Sequence, residues 1–147
     1  MKPDLRELYQ EVILDHNRNP RNHHAMDDAS ACARGANPLC GDTLMVYLKT
    51  ANGVVQDISF VGKGCAISQA SASLMTDAVR GQTVEAAEAL FQNMHAVLAG
   101  STDAEAPGKL AVLEGVRAYP ARVKCATLAW HTLEAALHQD SATVSTE

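Results

Sequence analysis

The chain has 147 residues, a formal net charge of −5, 47% hydrophobic residues, 4% aromatics and four cysteines. A chain of this size buries about 68% of its unfolded surface around one core, which fits a single domain over residues 1–147, and no apolar run approaches the roughly 18 residues of a membrane span. Acidic balance and few aromatic rings exclude a nucleic-acid surface, and the mixed start Met1 to Arg6 holds no signal-peptide core, so the cysteines of an expected cytoplasmic protein read as metal ligands or reactive thiols.

The first element is expected to be a helix capped by Asp4, with Leu5, Leu8, Tyr9, Val12 and Ile13 on one face. It should stop before the turn chemistry of Asn17 to Asn22. Residues 22–41 have no periodicity and read as a loop, although residues 30–36 would form a third strand if they pair beside Val46. Asn52-Gly53 joins two β-prone runs, Thr43–Thr50 and Val54–Val61, and predicts a hairpin. Alternation in the second run sets Val54, Gln56, Ile58 and Phe60 against Val55, Asp57, Ser59 and Val61. A helix is predicted from Cys65 to Arg80, stopped at Gly81, with small residues from Ser68 to Ser73 that allow a close neighbour. Another runs from Thr83 to about Leu98. A helical turn over Lys109–Leu113 precedes a last helix from near Arg122, with Val123, Ala126, Trp130, Leu133 and Leu137 on one face. The polar tail 140–147 is expected to fray. This order predicts an α+β fold, a small antiparallel three-stranded sheet packed against helices.

Three cysteines stand where one predicted element gives way to the next. Cys40 closes the long loop, Cys65 follows Gly62-Lys63-Gly64 at a helix start, and Cys125 falls in the predicted first turn of the last helix. A helix N-terminus carries unpaired N–H groups and partial positive charge, which suits an anionic sulfur. Asp42 lies two residues past Cys40 and offers a hard oxygen. Three thiolates and a carboxylate suit zinc or part of an iron–sulfur cluster. The cysteine spacing of 25 and then 60 positions matches no short-range metal template, so buried structural cysteines stand as the alternative. Cys32 reads as an incidental thiol, and the six histidines as solvated or capping residues.

Four motifs in order now carry a resemblance: Leu8–Asn22 (LYQEVILDHNRNPRN), Asn37–Asp42 (NPLCGD), Gly62–Ser73 (GKGCAISQASAS) and Tyr119–Trp130 (YPARVKCATLAW). Together they resemble the IscU/SufU family of iron–sulfur cluster assembly proteins, from about residue 5 to 138. The resemblance implies a three-stranded sheet against helices with three cysteines converging at one end. Lys124 stands where scaffolds of the IscU type carry a histidine, and Thr83–Pro107 supplies extra length between the last two cysteines. Both features resemble the SufU branch, a zinc-dependent sulfurtransferase type. By that resemblance Cys40, Asp42, Cys65 and Cys125 hold Zn²⁺, and Cys40 accepts persulfide sulfur from a SufS-type cysteine desulfurase after a desulfurase histidine displaces it from the metal. Arg122 would face the site or the partner, and a downstream cluster scaffold would receive the sulfur. A scaffold assembling a [2Fe–2S] cluster on the same ligands is the competing reading, and a purely structural zinc the third.

Overall fold

The computed structural model describes residues 5–37, 41–100, 106, 108–138 and 144–145. Helix α1 (Leu5–Arg18) is followed by strands β1 (Ala31–Asn37), β2 (Asp42–Ala51) and β3 (Val54–Lys63). Helices α2 (Ala66–Val79) and α3 (Val84–Leu98), a 3₁₀ segment (Gly108–Ala118) and helix α4 (Pro120–Leu137) complete the helical layer. The three strands form an antiparallel sheet in the order β3-β2-β1. Of the tail expected to fray, only Val144 and Ser145 are described; they run parallel to Gly35 and Ala36 as β4 at the edge of β1, so these two residues are paired. No helix among the described residues is long and apolar enough to cross a membrane.

The hairpin forms where Asn-Gly requires it. Asn52 and Gly53 both take positive φ, 54° and 75°, the type I′ geometry that matches strand twist. The alternation expected for β3 does not hold throughout. A register shift after Lys49 leaves Gln56 as an extra residue, with Lys49 opposite Asp57 and Thr50 opposite Val55. This bulge turns Val55 to the core beside Ile58 and Phe60 and leaves Gln56 exposed.

The loop reading of 22–41 is corrected over Ala31–Asn37, which pairs with β2 and sets Ala33 opposite Val46. Its sequence, ACARGAN, holds no β-branched residue. What makes it a strand is the helix above it. At Gly35 an added Cβ would run into the side chains of Thr132 and Leu128, so glycine lets α4 lie directly on β1.

The core lies between the sheet and α2, α3 and α4, centred on Phe60, Met75, Met94, Leu128 and Trp130. The small residues of α2 allow the predicted close approach. Ser71 Oγ donates to the Ala126 carbonyl at 2.6 Å and accepts from Trp130 Nε1 at 3.2 Å. On the other flank Ser73 Oγ meets His16 Nδ1 at 2.7 Å and accepts from the Arg21 N–H at 2.8 Å. His16 is therefore a buried structural residue, not a solvated one. α3 packs on α4 and buries Ala87, Phe91, Met94 and Val97, so one face of this helix is core.

Candidate metal centre

The end of the sheet where β1 stops, β2 starts and β3 gives way to α2 gathers the polar groups. Asp42 opens β2 and pairs in register with Asn37, the last residue of β1. Both are buried. Cys65 is the N-cap of α2, and its sulfur lies 3.5 Å from the Ser68 N–H that a capping group serves. Cys125 comes from α4, across the core, and is fully buried. Because α4 begins at Pro120 rather than near Arg122, Cys125 falls in the second turn, where the helix terminus no longer faces it. Pro120 supplies the earlier start, since its fixed φ and missing N–H suit the first helical position.

One ligand atom from each of Asp42, Cys65 and Cys125 lies within 4.8 Å of the others. The carboxylate divides its duties. Asp42 Oδ1 accepts from the Cys65 N–H at 2.8 Å, while Oδ2 lies 3.9 Å from Cys65 Sγ. Gly64 makes this approach possible, because a Cβ there would collide with the Asp42 carboxylate. Cys40, the fourth expected ligand, lies outside the described residues; in sequence it stands three positions after Asn37 and two before Asp42. Cys32, by contrast, is exposed on β1 opposite Tyr47, five residues from the cluster end of the strand. At about 3.3 Å per residue that is roughly 16 Å away.

The donor set fits a soft or borderline divalent cation. Tetrahedral zinc, with sulfur at about 2.3 Å and oxygen at about 2.0 Å, needs S···O and S···S separations of about 3.5 and 3.8 Å. The observed spacings exceed these by no more than about 1.3 Å. Charge points the same way: among the described residues no Lys, Arg or His nitrogen pairs with the buried Asp42 carboxylate. A buried carboxylate without a cation is costly.

Unsatisfied polar atoms collect here too. Three buried side-chain atoms among the described residues lack a partner: Asn37 Oδ1, Ser59 Oγ and Ser68 Oγ. Two of them belong to residues whose N–H groups reach a cluster sulfur, Asn37 Nδ2 at 3.6 Å from Cys125 and the Ser68 amide beside Cys65. Each such orphan costs about 1–3 kcal/mol. Sequence reasoning missed Asn37, and its one local signal was the Asn-Pro pair, which reads as a turn. On the α3–α4 contact, His131 packs edge-on against Phe91 and His95 with ring centroids 5.6 and 5.3 Å apart. Burial, then the neighbouring His95 charge, lowers its pKa.

The family of NifU-like N-terminal domains matches residues 8–139. The zinc-dependent sulfurtransferase SufU of Bacillus subtilis is 40% identical over 133 residues, covering 89% of this chain and 90% of that protein. The iron–sulfur cluster assembly scaffold protein IscU of Thermotoga maritima is 42% identical over 137 residues, 91% of this chain and 95% of its own. Among solved structures, the N-terminal part of a nitrogen-fixing NifU-like protein from Brucella abortus superposes with a TM-score of 0.79 at 32% identity, covering 90% of this chain and 94% of the other.

Proposed function

Because the chain belongs to the family of NifU-like N-terminal domains, whose named relatives include iron–sulfur cluster assembly proteins, we propose that it is a zinc-dependent sulfur relay for cluster assembly. In this reading Cys40, Asp42, Cys65 and Cys125 hold zinc. Cys40 takes sulfur from a SufS-type cysteine desulfurase in the cytoplasm and hands it to a downstream cluster scaffold. The observation that carries the proposal is the buried Asp42 carboxylate facing two thiols, with no Lys, Arg or His nitrogen paired to it among the described residues.

Zinc, when bound, keeps its cysteine ligands deprotonated at neutral pH. The transfer itself is a thiol–disulfide-type exchange. The Cys40 thiolate attacks the terminal sulfur of the donor's persulfide; the new Sγ–S bond forms as the donor's Sγ–S bond breaks, and the donor cysteine leaves as a thiolate. One persulfide replaces another, so no external oxidant or reductant is consumed. Asp42 is held for its part by the Cys65 N–H on one oxygen, leaving the other toward the sulfurs. Cys65 caps α2 and Cys125 lies within α4, so both are retained, whereas Cys40 has the glycine-flanked sequence suited to release.

The relative named as an IscU scaffold supports a second reading, in which the same donors carry a [2Fe–2S] cluster. Metal analysis and an absorption spectrum of protein purified without oxygen separate the two. A colourless chain with one zinc is expected. A brown chain with iron and sulfide favours the scaffold, and a chain that takes up neither overturns both.

A further inference from the structure

Asn37 is fully buried at the end of β1, level with Asp42 in the sheet register, and its side chain spans toward α4. Its Nδ2 lies 3.6 Å from Cys125 Sγ, and its Oδ1 finds no partner. Fold stability gives no reason for an amide here. A buried amide that satisfies only one of its two ends is worse than an apolar side chain of the same volume. Its amide oxygen stands unpaired, and its amide nitrogen points at a sulfur of the cluster. Cys125, in the second turn of α4, gets no help from the helix terminus, whereas Cys65 receives the Ser68 N–H as an N-cap. Cys65 thus meets a backbone N–H of its own helix, whereas for Cys125, whose Sγ also lies 3.6 Å from the Ala121 carbonyl, a side chain from another element brings an N–H within reach.

We propose that Asn37 is a positioning residue for the metal centre, its Nδ2–H donating to the Cys125 thiolate and fixing that sulfur toward Asp42 and Cys65. The inference rests on the metal reading above. A donor to a coordinated thiolate fixes its lone-pair direction and draws off part of its charge. The sheet register contributes as well: Asn37 and Asp42 are paired residues, so the strand that aims the carboxylate ligand also sets the distance of the amide.

The test compares wild-type protein with Asn37→Leu, which keeps volume and removes the donor, and Asn37→Ala, which removes the donor without crowding. Each is stripped of metal, checked for Tm and titrated with Zn²⁺ against a chromophoric chelator, then loaded with Co²⁺ to read the sulfur-to-cobalt charge-transfer band. The expected result is a metal-free Tm in the Leu variant no lower than wild type, a zinc affinity reduced about tenfold in both variants, and a displaced band. Unchanged zinc affinity and an unchanged band in both variants overturn the role of Asn37 alone. If wild-type protein takes up neither ion, the metal reading falls and this inference with it. A lower metal-free Tm with full zinc affinity makes Asn37 merely structural and also overturns the proposal.

Discussion

Two buried polar regions lie within the same fold and are built on opposite terms. In the α1–α2–α4 seam the groups close on one another: Ser71 joins the Ala126 carbonyl to the Trp130 indole, and Ser73 joins His16 to the Arg21 backbone. At the sheet end, Asp42, Cys65 and Cys125 converge with no cation among the described residues, and orphaned atoms remain on Asn37 and Ser68. The first arrangement is what stability selects, since each buried polar group finds its partner inside the chain. The second keeps polar atoms unpaired among the described residues, which is the arrangement the proposed metal centre would complete. Burial of polar residues therefore does not by itself mark a site.

Breaking the closed region should give the largest loss of stability and leave the open one working. Trp130→Ala removes a fully buried ring and the donor to Ser71. It is expected to cost about 3–5 kcal/mol, a fall in Tm on the order of 10 °C for a chain of this size. Zinc bound per folded molecule, read by metal analysis, should not change.

Gly64→Ala acts the other way round. The new Cβ meets the Asp42 carboxylate and pushes it from its place between the Cys65 N–H and the sulfurs. Zinc affinity, measured by chelator competition, is expected to fall about tenfold or more, while Tm moves less than in Trp130→Ala. A Gly64→Ala protein with full affinity would show that the Asp42 position does not matter to the metal.

The smallest effect belongs to pH. His131, on the α3–α4 contact, has its pKa lowered from the ordinary 6.5 by burial first and by His95 second. The unfolded chain takes up a proton on this residue as pH falls through 6.5, while the folded chain resists. Stability from this group is complete above that pH and is lost progressively below it. His131→Gln should therefore flatten the decline of Tm between pH 7 and pH 5 measured by thermal melts, with no change in zinc uptake at neutral pH.

Local signals were enough for much of this architecture. Asn52-Gly53 announces the hairpin, Thr83 caps α3 as a start residue should, and Cys65 behind its glycines marks the head of α2. Features that depend on distant contacts were not legible. β1 has strand-poor composition and exists because β2 pairs with it and α4 covers Gly35. The β3 bulge reverses the face of Val55 without any glycine or proline to mark it. His16 looks like any polar helix end until Ser73 arrives from α2. Within the site, the meeting of Asp42, Cys65 and Cys125 was expected from the resemblance, and the turn that Cys125 occupies was not, because Pro120 starts α4 earlier than the apolar stripe does. Asn37 carries no metal-ligand signature and becomes visible only beside Cys125.

The proposed relay delivers sulfur to Cys40. Zinc-loaded protein incubated with a SufS-type desulfurase and cysteine, then digested and examined by mass spectrometry without reductant, tests it directly. The account predicts one added sulfur on the peptide carrying Cys40, none on that carrying Cys32, and no transfer to a Cys40→Ser chain that still folds. Added sulfur on Cys32 with Cys40 untouched, or undiminished transfer to Cys40→Ser, would contradict it.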